Sequence, residues 1–260
     1  GGRYGMYVSV EDMTVEDSTF KEPYRDGIVT AGITGTTTIT NNRFIGTGDT
    51  DQAIYMTTGS GTPYDSGTLN VAYNTHTGGG HFFLVDYWGW DDVHPLDLQI
   101  IHNSIDLDSD RKGIVFYAAY VDDPSGFDKF GSILIQDNII SHSSPAVYVD
   151  YEDWGGAPAA DNRPVPADGQ IVISTTLTYS NTAGTEDTTD ASGSFGYYDV
   201  AGMTPSGASM AMFALSGNFD SKPLYVDPAH ANGDFSLRSD SPAVDAATDG
   251  TNIGAYQDDP

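Results

Sequence analysis

Ile39-Thr40-Asn41-Asn42-Arg43-Phe44 is the stretch whose reading decides the fold. A β-branched run meets an Asn step and returns to apolar residues. The same order recurs in Val15-Glu16-Asp17-Ser18-Thr19-Phe20, Val71-Ala72-Tyr73-Asn74, Ile100-Ile101-His102-Asn103-Ser104-Ile105 and Ile133-Leu134-Ile135-Gln136-Asp137-Asn138-Ile139-Ile140. Phe20 and Phe44 are 24 residues apart, and the steps from Asn42 to Asn74, Asn103 and Asn138 are 32, 29 and 35. Self-similarity at this period marks stacked supersecondary units. A second apolar run follows each copy: Gly27-Ile28-Val29, Ala53-Ile54-Tyr55-Met56, Phe82-Phe83-Leu84-Val85, Gly113-Ile114-Val115-Phe116-Tyr117 and Ala146-Val147-Tyr148-Val149. Ile171-Val172-Ile173 opens a weaker sixth copy.

The runs are short, bounded by Gly, Asp, Asn and Ser, and rich in Val, Ile and Tyr, which is strand chemistry. No amphipathic helix stands out. Short strands in repeats of irregular length fit a coil whose strands pair with their counterparts one turn on, about 4.8 Å away. A recurrent Asn at one bend then stacks as an amide ladder. A β-sandwich would show shorter, more even spacing and no reason to repeat Asn. The expected fold is therefore all-β: a parallel β-helix (solenoid), one domain over residues 1–260, with long loops on one side. Residues 155–215, rich in Gly, Ala, Ser, Thr and Pro, are expected to form a long excursion around the weak sixth rung, as a loop or a flap. Residues 216–260 are expected to close the coil.

These repeats resemble the right-handed parallel β-helix of the pectin-lyase-like superfamily. The C-terminal stretch adds to the likeness. Pro223-Leu224-Tyr225-Val226-Asp227-Pro228-Ala229, Gly233-Asp234-Phe235-Ser236-Leu237, Ser241-Pro242-Ala243-Val244-Asp245-Ala246 and Asn252-Ile253-Gly254-Ala255-Tyr256 are similar to the closing segment of secreted microbial β-helix proteins. The resemblance spans nearly the whole chain. It implies a fold but not one function, since polysaccharide lyases, glycoside hydrolases, epimerases, archaeal disaggregatase-like proteins, viral tailspikes and surface proteins share it.

The chain has 260 residues, 38% hydrophobic and 12% aromatic, enough for a sizeable core and against general disorder. Lys+Arg is 10 and Asp+Glu 37, a net charge of -27 that opposes binding to nucleic acid or anionic lipid. No apolar run is long enough for a transmembrane helix, so no membrane insertion is expected. The chain opens Gly1-Gly2-Arg3-Tyr4 without Met, so an upstream segment is expected. The acids are 32 Asp and 5 Glu. Asp serves turns and Ca²⁺ sites, and a dense carboxylate layer with only four Lys also suits life in high salt. There is no Cys, which excludes disulfides, thiol catalysis and Cys-ligated zinc.

Three constellations have the residue types for chemistry. Val85-Asp86-Tyr87-Trp88-Gly89-Trp90 and Val149-Asp150-Tyr151-Glu152-Asp153-Trp154 share Val-Asp-Tyr-x-x-Trp two turns apart. Stacking brings Asp86, Tyr87, Trp88, Trp90, Asp150, Tyr151 and Trp154 to one side, with Tyr120 from the rung between. Flat rings suit the C–H faces of sugars and carboxylates suit their hydroxyls. The alternative is that these rings pack a loop onto the coil.

Asp106-Leu107-Asp108-Ser109-Asp110-Arg111-Lys112-Gly113 alternates Asp as Ca²⁺ sites do, making Asp106, Asp108 and Asp110 candidate ligands. It is not an EF-hand loop, because Arg111 stands where Gly is needed and Tyr117 where Glu is needed. In polysaccharide lyases of the resembled family, a cation neutralises the uronate and an Arg or Lys removes the adjacent proton. That likeness makes Asp108, Arg111 and Lys112 the candidate catalytic residues. The third constellation is Asp91-Asp92-Val93-His94-Pro95 with His81 and His102. Its order departs from the Asp-Pro-His of alginate epimerases, so their roles are not transferred.

The expectation is an extracellular or cell-surface protein that binds polysaccharide, with cleavage by lyase or hydrolase chemistry left open. A neutral glycan suits the charge better than a polyuronate. The alternative is a non-enzymatic surface, fibre or filament protein. It would self-associate through the N-terminal coil end, unless an upstream domain covers that end.

Overall fold

A computed structural model describes residues 4–8, 11–21, 25–47, 52–57, 67–86, 96–107, 111–118, 127, 130–152, 160–185, 187–199, 203–227 and 234–256. The structure is all-β, and its described residues include 3₁₀ turns at Ala160–Asn162 and Met210–Met212. Three sheets hold nearly every strand. The first contains Tyr4–Val8, Asp26–Thr30, Gln52–Thr57, His81–Asp86, Ile114–Tyr117, Val147–Asp150 and Phe195–Tyr198. The second contains Met13–Glu16, Thr36–Thr40, Gly67–Ala72, Leu96–Ile101, Phe130–Gln136, Ile171–Ser174 and Phe213–Ser216. The third contains Thr19–Lys21, Arg43–Thr47, Thr75–Gly78, Ser104–Leu107, Ile139–Ser141, Leu177–Tyr179 and Phe219–Asp220. The chain visits the three sheets in rotation, and each of these strands pairs in parallel with its counterparts in the adjoining turns.

The register explains the core. Ile28, Ile54, Phe83, Ile114, Val147 and Phe195 form one column of the first sheet, and all are buried. The next inward column is Thr30, Met56, Val85, Phe116, Val149 and Tyr197. Like residues meet like because strands pair in parallel register at each turn. The inward faces of the other two sheets complete one apolar cluster, with Ile39, Val71, Ile100, Ile135 and Ile173 from the second and Phe44, Ile105 and Ile140 from the third.

The corner between the second and third sheets is the most regular element. Two residues make the bend at all seven turns: 17–18, 41–42, 73–74, 102–103, 137–138, 175–176 and 217–218. The first residue is left-handed, with φ of 51° at Asp17, 54° at Asn41, 56° at Tyr73, 52° at His102, 54° at Asp137, 49° at Thr175 and 64° at Gly217. At four successive turns the second residue is the repeated Asn. Asn42 N–H donates to Asn74 Oδ1 (3.0 Å), Asn74 N–H to Asn103 Oδ1 (3.0 Å) and Asn103 N–H to Asn138 Oδ1 (2.9 Å). Each Nδ2 also donates to the backbone one turn back: Asn42 to Val15 O, Asn74 to Ile39 O, Asn103 to Val71 O and Asn138 to Ile100 O. The bonds offset the cost of holding non-Gly residues in the left-handed region, about 1–2 kcal/mol each. Ser18 N–H joins the top of the ladder and Asn218 Oδ1 accepts from Thr176 N–H near the bottom.

Between 155 and 215 the structure shows strands of all three sheets, so the segment is not loop alone. The strand Asp187–Thr189 adds antiparallel to Phe195–Tyr198. After Phe219–Asp220 the chain turns back over the third sheet. The antiparallel pair Tyr225–Asp227 and Asp234–Leu237, with Ala243 and Ile253, covers Ile139 and Leu177. Asp137 anchors this tail, accepting from Thr248 N–H (3.0 Å) and, through its carbonyl, from Gly254 N–H (2.9 Å). Among the described residues, no helix is long and apolar enough to cross a membrane.

Candidate functional site

The outer face of the first sheet brings two of the predicted carboxylates into line. Asp86 pairs in register with Tyr117, and Tyr117 with Asp150. Their predecessors Val85, Phe116 and Val149 point into the core, so strand alternation turns Asp86, Tyr117 and Asp150 outward. Asp86 and Asp150 lie two strand separations apart, about 9–10 Å along the stack.

Each carboxylate is held by a neighbour. The Tyr55 hydroxyl donates to Asp86 Oδ2 at 2.6 Å. Burial first, and then the adjacent Asp86 charge, push the Tyr55 phenol well above its usual range, so it stays a donor. Lys112 Nζ reaches Asp150 Oδ2 at 3.1 Å and sits 4.4 Å from the centre of the Tyr148 ring. Glu152 N–H donates to Asp150 Oδ1 at 2.8 Å. The Tyr148 hydroxyl donates to Asp187 on the added antiparallel strand, and burial followed by Asp187 raises that phenol too. Tyr117 donates to Glu152 O at 3.3 Å. The face is a band of phenol rings with anchored carboxylates and one ammonium. Asp86, Asp150 and the Tyr148 ring are buried, and the half-buried rings of Tyr55 and Tyr117 are the ones that offer apolar surface on this face.

Several expectations need correction. Tyr151 is fully buried in the core cluster, with its hydroxyl donating to Pro164 O (3.2 Å) and its carbonyl accepting from Arg163. The alternation that turns Asp150 outward turns Tyr151 inward, so it is not a ligand residue. Lys112, a candidate catalytic residue, has its ammonium engaged by Asp150 and the Tyr148 ring. Arg111 lies half-buried at the turn before Ile114, its carbonyl accepting from Ser144 N–H (2.7 Å). Asp106 lies on the third sheet, away from the Lys112 side chain. Its Oδ1 accepts from Ser141 Oγ (2.8 Å) and faces His142 Nδ1 (2.6 Å). Its carboxylate is therefore already engaged, and among the described residues no three His, Cys, Asp or Glu converge as a metal site.

Tyr87, Trp88, Trp90, Tyr120, Trp154, Asp108 and Asp110 lie outside the described residues, as does 91–95. Of the histidines in the third constellation, His81 lies on the first sheet and His102 at the corner between the second and third. His81 is half-buried in the first sheet with Nδ1 2.9 Å from Lys112 O, and desolvation pulls its pKa down to about 4. His102 occupies the opposite corner, near Asp137 and Asp249. Sequence reasoning passed over Tyr55 and Tyr148. Their signal was register: both fall two residues before the Asp86 column, on the same side of their strands.

Compared with protein-family models, curated proteins and solved structures, the chain matches none.

Proposed function

We propose that the chain is a right-handed parallel β-helix of the pectin-lyase-like kind, and that the outer face of its first sheet binds a polysaccharide outside the cell. The rotation of the chain through three parallel sheets supports the first part, and parallel crossovers are right-handed in about 98% of cases. One observation carries the second part: Asp86, Tyr117 and Asp150 share a register column beside the half-buried phenol of Tyr55. Trp88 and Trp90 follow Asp86 by two and four residues, and Trp154 follows Asp150 by four. The net charge of -27 favours a neutral glycan over a polyanion. Bound Ca²⁺ is a separate proposal resting on Asp108 and Asp110 beside the engaged Asp106, and a chelator-dependent fall in Tm is its test.

The functional test is a glycan-array screen followed by titration of the hit against Asp86→Asn, Lys112→Met and the double variant Trp90→Ala/Trp154→Ala. Each should weaken binding by about tenfold or more, the loss of at least one anchoring interaction. Unchanged affinity in all three, with Tm preserved, contradicts the assignment of this face.

A further inference from the structure

One inward column of the second sheet runs Ile39, Val71, Ile100, Ile135, Ile173 and Leu215. The first five are fully buried, whereas Leu215 is 40% exposed. Leu215 faces the core by strand alternation, so its exposure means that the core is open to solvent at this end of the coil. The described chain builds no further rung over it. After Phe219–Asp220 it turns back along the third sheet. Phe213–Ser216 is therefore the end strand of its sheet, paired with Ile171–Ser174 on one side and with no described strand on the other. Such a strand turns alternate N–H and C=O groups away from its neighbour, as a template for another strand.

The other two sheets guard their edges at this end with charge. The first is closed by the short antiparallel strand Asp187–Thr189, which carries Asp187. The third ends in a strand of two residues, one of them Asp220. Short, charged strands are a usual defence against edge pairing, and Phe213–Ser216 has no charge. Its surroundings in sequence have none either: residues 200–219 contain no Asp, Glu, Lys, Arg or His, in a chain of net charge -27. Ala208 and Met210 are half-buried against the core, and Ala211, Ser216 and Gly217 are exposed. Small uncharged residues on either side of the strand let another backbone come close.

We infer that this end of the coil is an interface between two copies of the chain. The copies meet about a two-fold axis, with Phe213–Ser216 pairing antiparallel to its counterpart and each Leu215 closing the core of the other. Charge selects a second copy in this arrangement. Two chains at -27 repel at their charged faces, and a two-fold axis sets the uncharged end of one against the uncharged end of the other. A head-to-tail contact would instead set Phe213–Ser216 against Met13–Glu16, which ends in Glu16 and is flanked by Glu11, Asp12 and Asp17. Repulsion between the remaining carboxylates is screened within about 10 Å at 0.1 M salt and about 3 Å at 1 M, so the contact tightens as salt rises. The inference does not rest on the glycan reading.

The test is sedimentation velocity of the full chain from about 1 to 500 μM, in about 0.15 M and about 1 M NaCl, for wild type, Leu215→Asp, Ala211→Glu and Tyr7→Glu. The expected result is a reversible monomer–dimer equilibrium that shifts toward dimer at the higher salt. Leu215→Asp and Ala211→Glu each weaken it by about tenfold or more. Tyr7→Glu, at an exposed site on the first strand of the first sheet, leaves it unchanged. Ala211 is exposed and outside the core cluster, so Ala211→Glu supplies the readout should Leu215→Asp fold poorly. A monomer throughout at both salts, a series of species beyond the dimer, dissociation by Tyr7→Glu, or a dimer as tight in Ala211→Glu as in wild type overturns the inference.

Discussion

The two ends of the second sheet's strands are connected in opposite ways. At the exit, the bend to the third sheet is two residues long at every turn. At the entrance, the connection from the first sheet ranges from four residues (9–12) to twenty (151–170). The difference is physical. At the exit both N–H groups of the bends at 41–42, 73–74 and 102–103 are engaged by the next turn, one by a backbone carbonyl and one by the buried amide, so an inserted residue would break bonds on both sides. At the entrance the described residues make only scattered bonds between turns, such as Thr36 N–H to Asp12 Oδ1 (2.8 Å) and Ala118 N–H to Asp150 O (2.9 Å), and loop length costs only about 0.6 kcal/mol per doubling. The rigid corner fixes register, and the free side carries Tyr87, Trp88, Trp90, Tyr120 and Trp154. Scaffolds commonly place binding residues on the side where length varies.

The largest effect should come from breaking the corner. Asn103 accepts from Asn74 and donates to Val71 O, Ile101 O and Asn138 Oδ1. Replacing it by Leu leaves several buried groups unpaired, at about 1–3 kcal/mol for each group left unsatisfied. A loss of about 3–5 kcal/mol in urea unfolding is expected, and a loss under about 1 kcal/mol would mean that the ladder does not set stability.

Acid should act next. His76 is fully buried two residues past the corner, with Nε2 3.1 Å from Gly80 O, and burial lowers its pKa to about 4. His81 is lowered to about 4 as well. Between about 6.5 and 4 the unfolded chain binds protons that the folded chain refuses. Stability is therefore full above pH 6.5 and falls as pH drops, by up to about 1.4 kcal/mol per unit for each histidine. His76→Phe should remove about half of that slope; an unchanged slope between pH 6.5 and 4.5 would show that His76 is not the source.

The tail is attached to the regular side and depends on it. At Gly254, φ is +94° and an added Cβ would meet Ser104 Oγ at 2.6 Å and Ile139 Cδ1 at 2.8 Å. Gly254→Ala should cost about 2 kcal/mol and increase amide exchange over 234–256. Exchange confined to the mutated residue would mean that the tail is held by its apolar cluster alone.

Smallest should be the effect on the variable side. Deleting 61–63, within the connection 58–66, is expected to change stability by less than about 1 kcal/mol. A loss as large as that of Asn103→Leu would remove the contrast.

How much of this was legible follows the same divide. Asn42, Asn74, Asn103 and Asn138 were readable because one backbone geometry demands one side chain at each turn. Asn218 was missed, since Thr176 interrupts the series one turn earlier. A second corner was also passed over, where His142 and Ser180 are left-handed and Ser143 N–H donates to Asn181 Oδ1. Its signal was the Asn one residue after a left-handed position, as at Tyr73-Asn74. Asp86 and Asp150 were found through a repeated tripeptide, but Tyr151 was misplaced because the shared motif was given precedence over strand alternation. The fold-back of the tail was illegible. Thr248 meets Asp137 across 111 residues, and neither carries a periodic pattern that names the other.

The central claim is that one side of the coil holds register while the other binds glycan. Hydrogen–deuterium exchange with and without a saturating array-selected glycan tests it most directly. The account predicts new protection in 81–96, 111–120 and 147–154, with the ladder peptides 39–44, 100–105 and 135–140 unchanged. Protection at the ladder instead, or no array glycan giving protection anywhere, would contradict it.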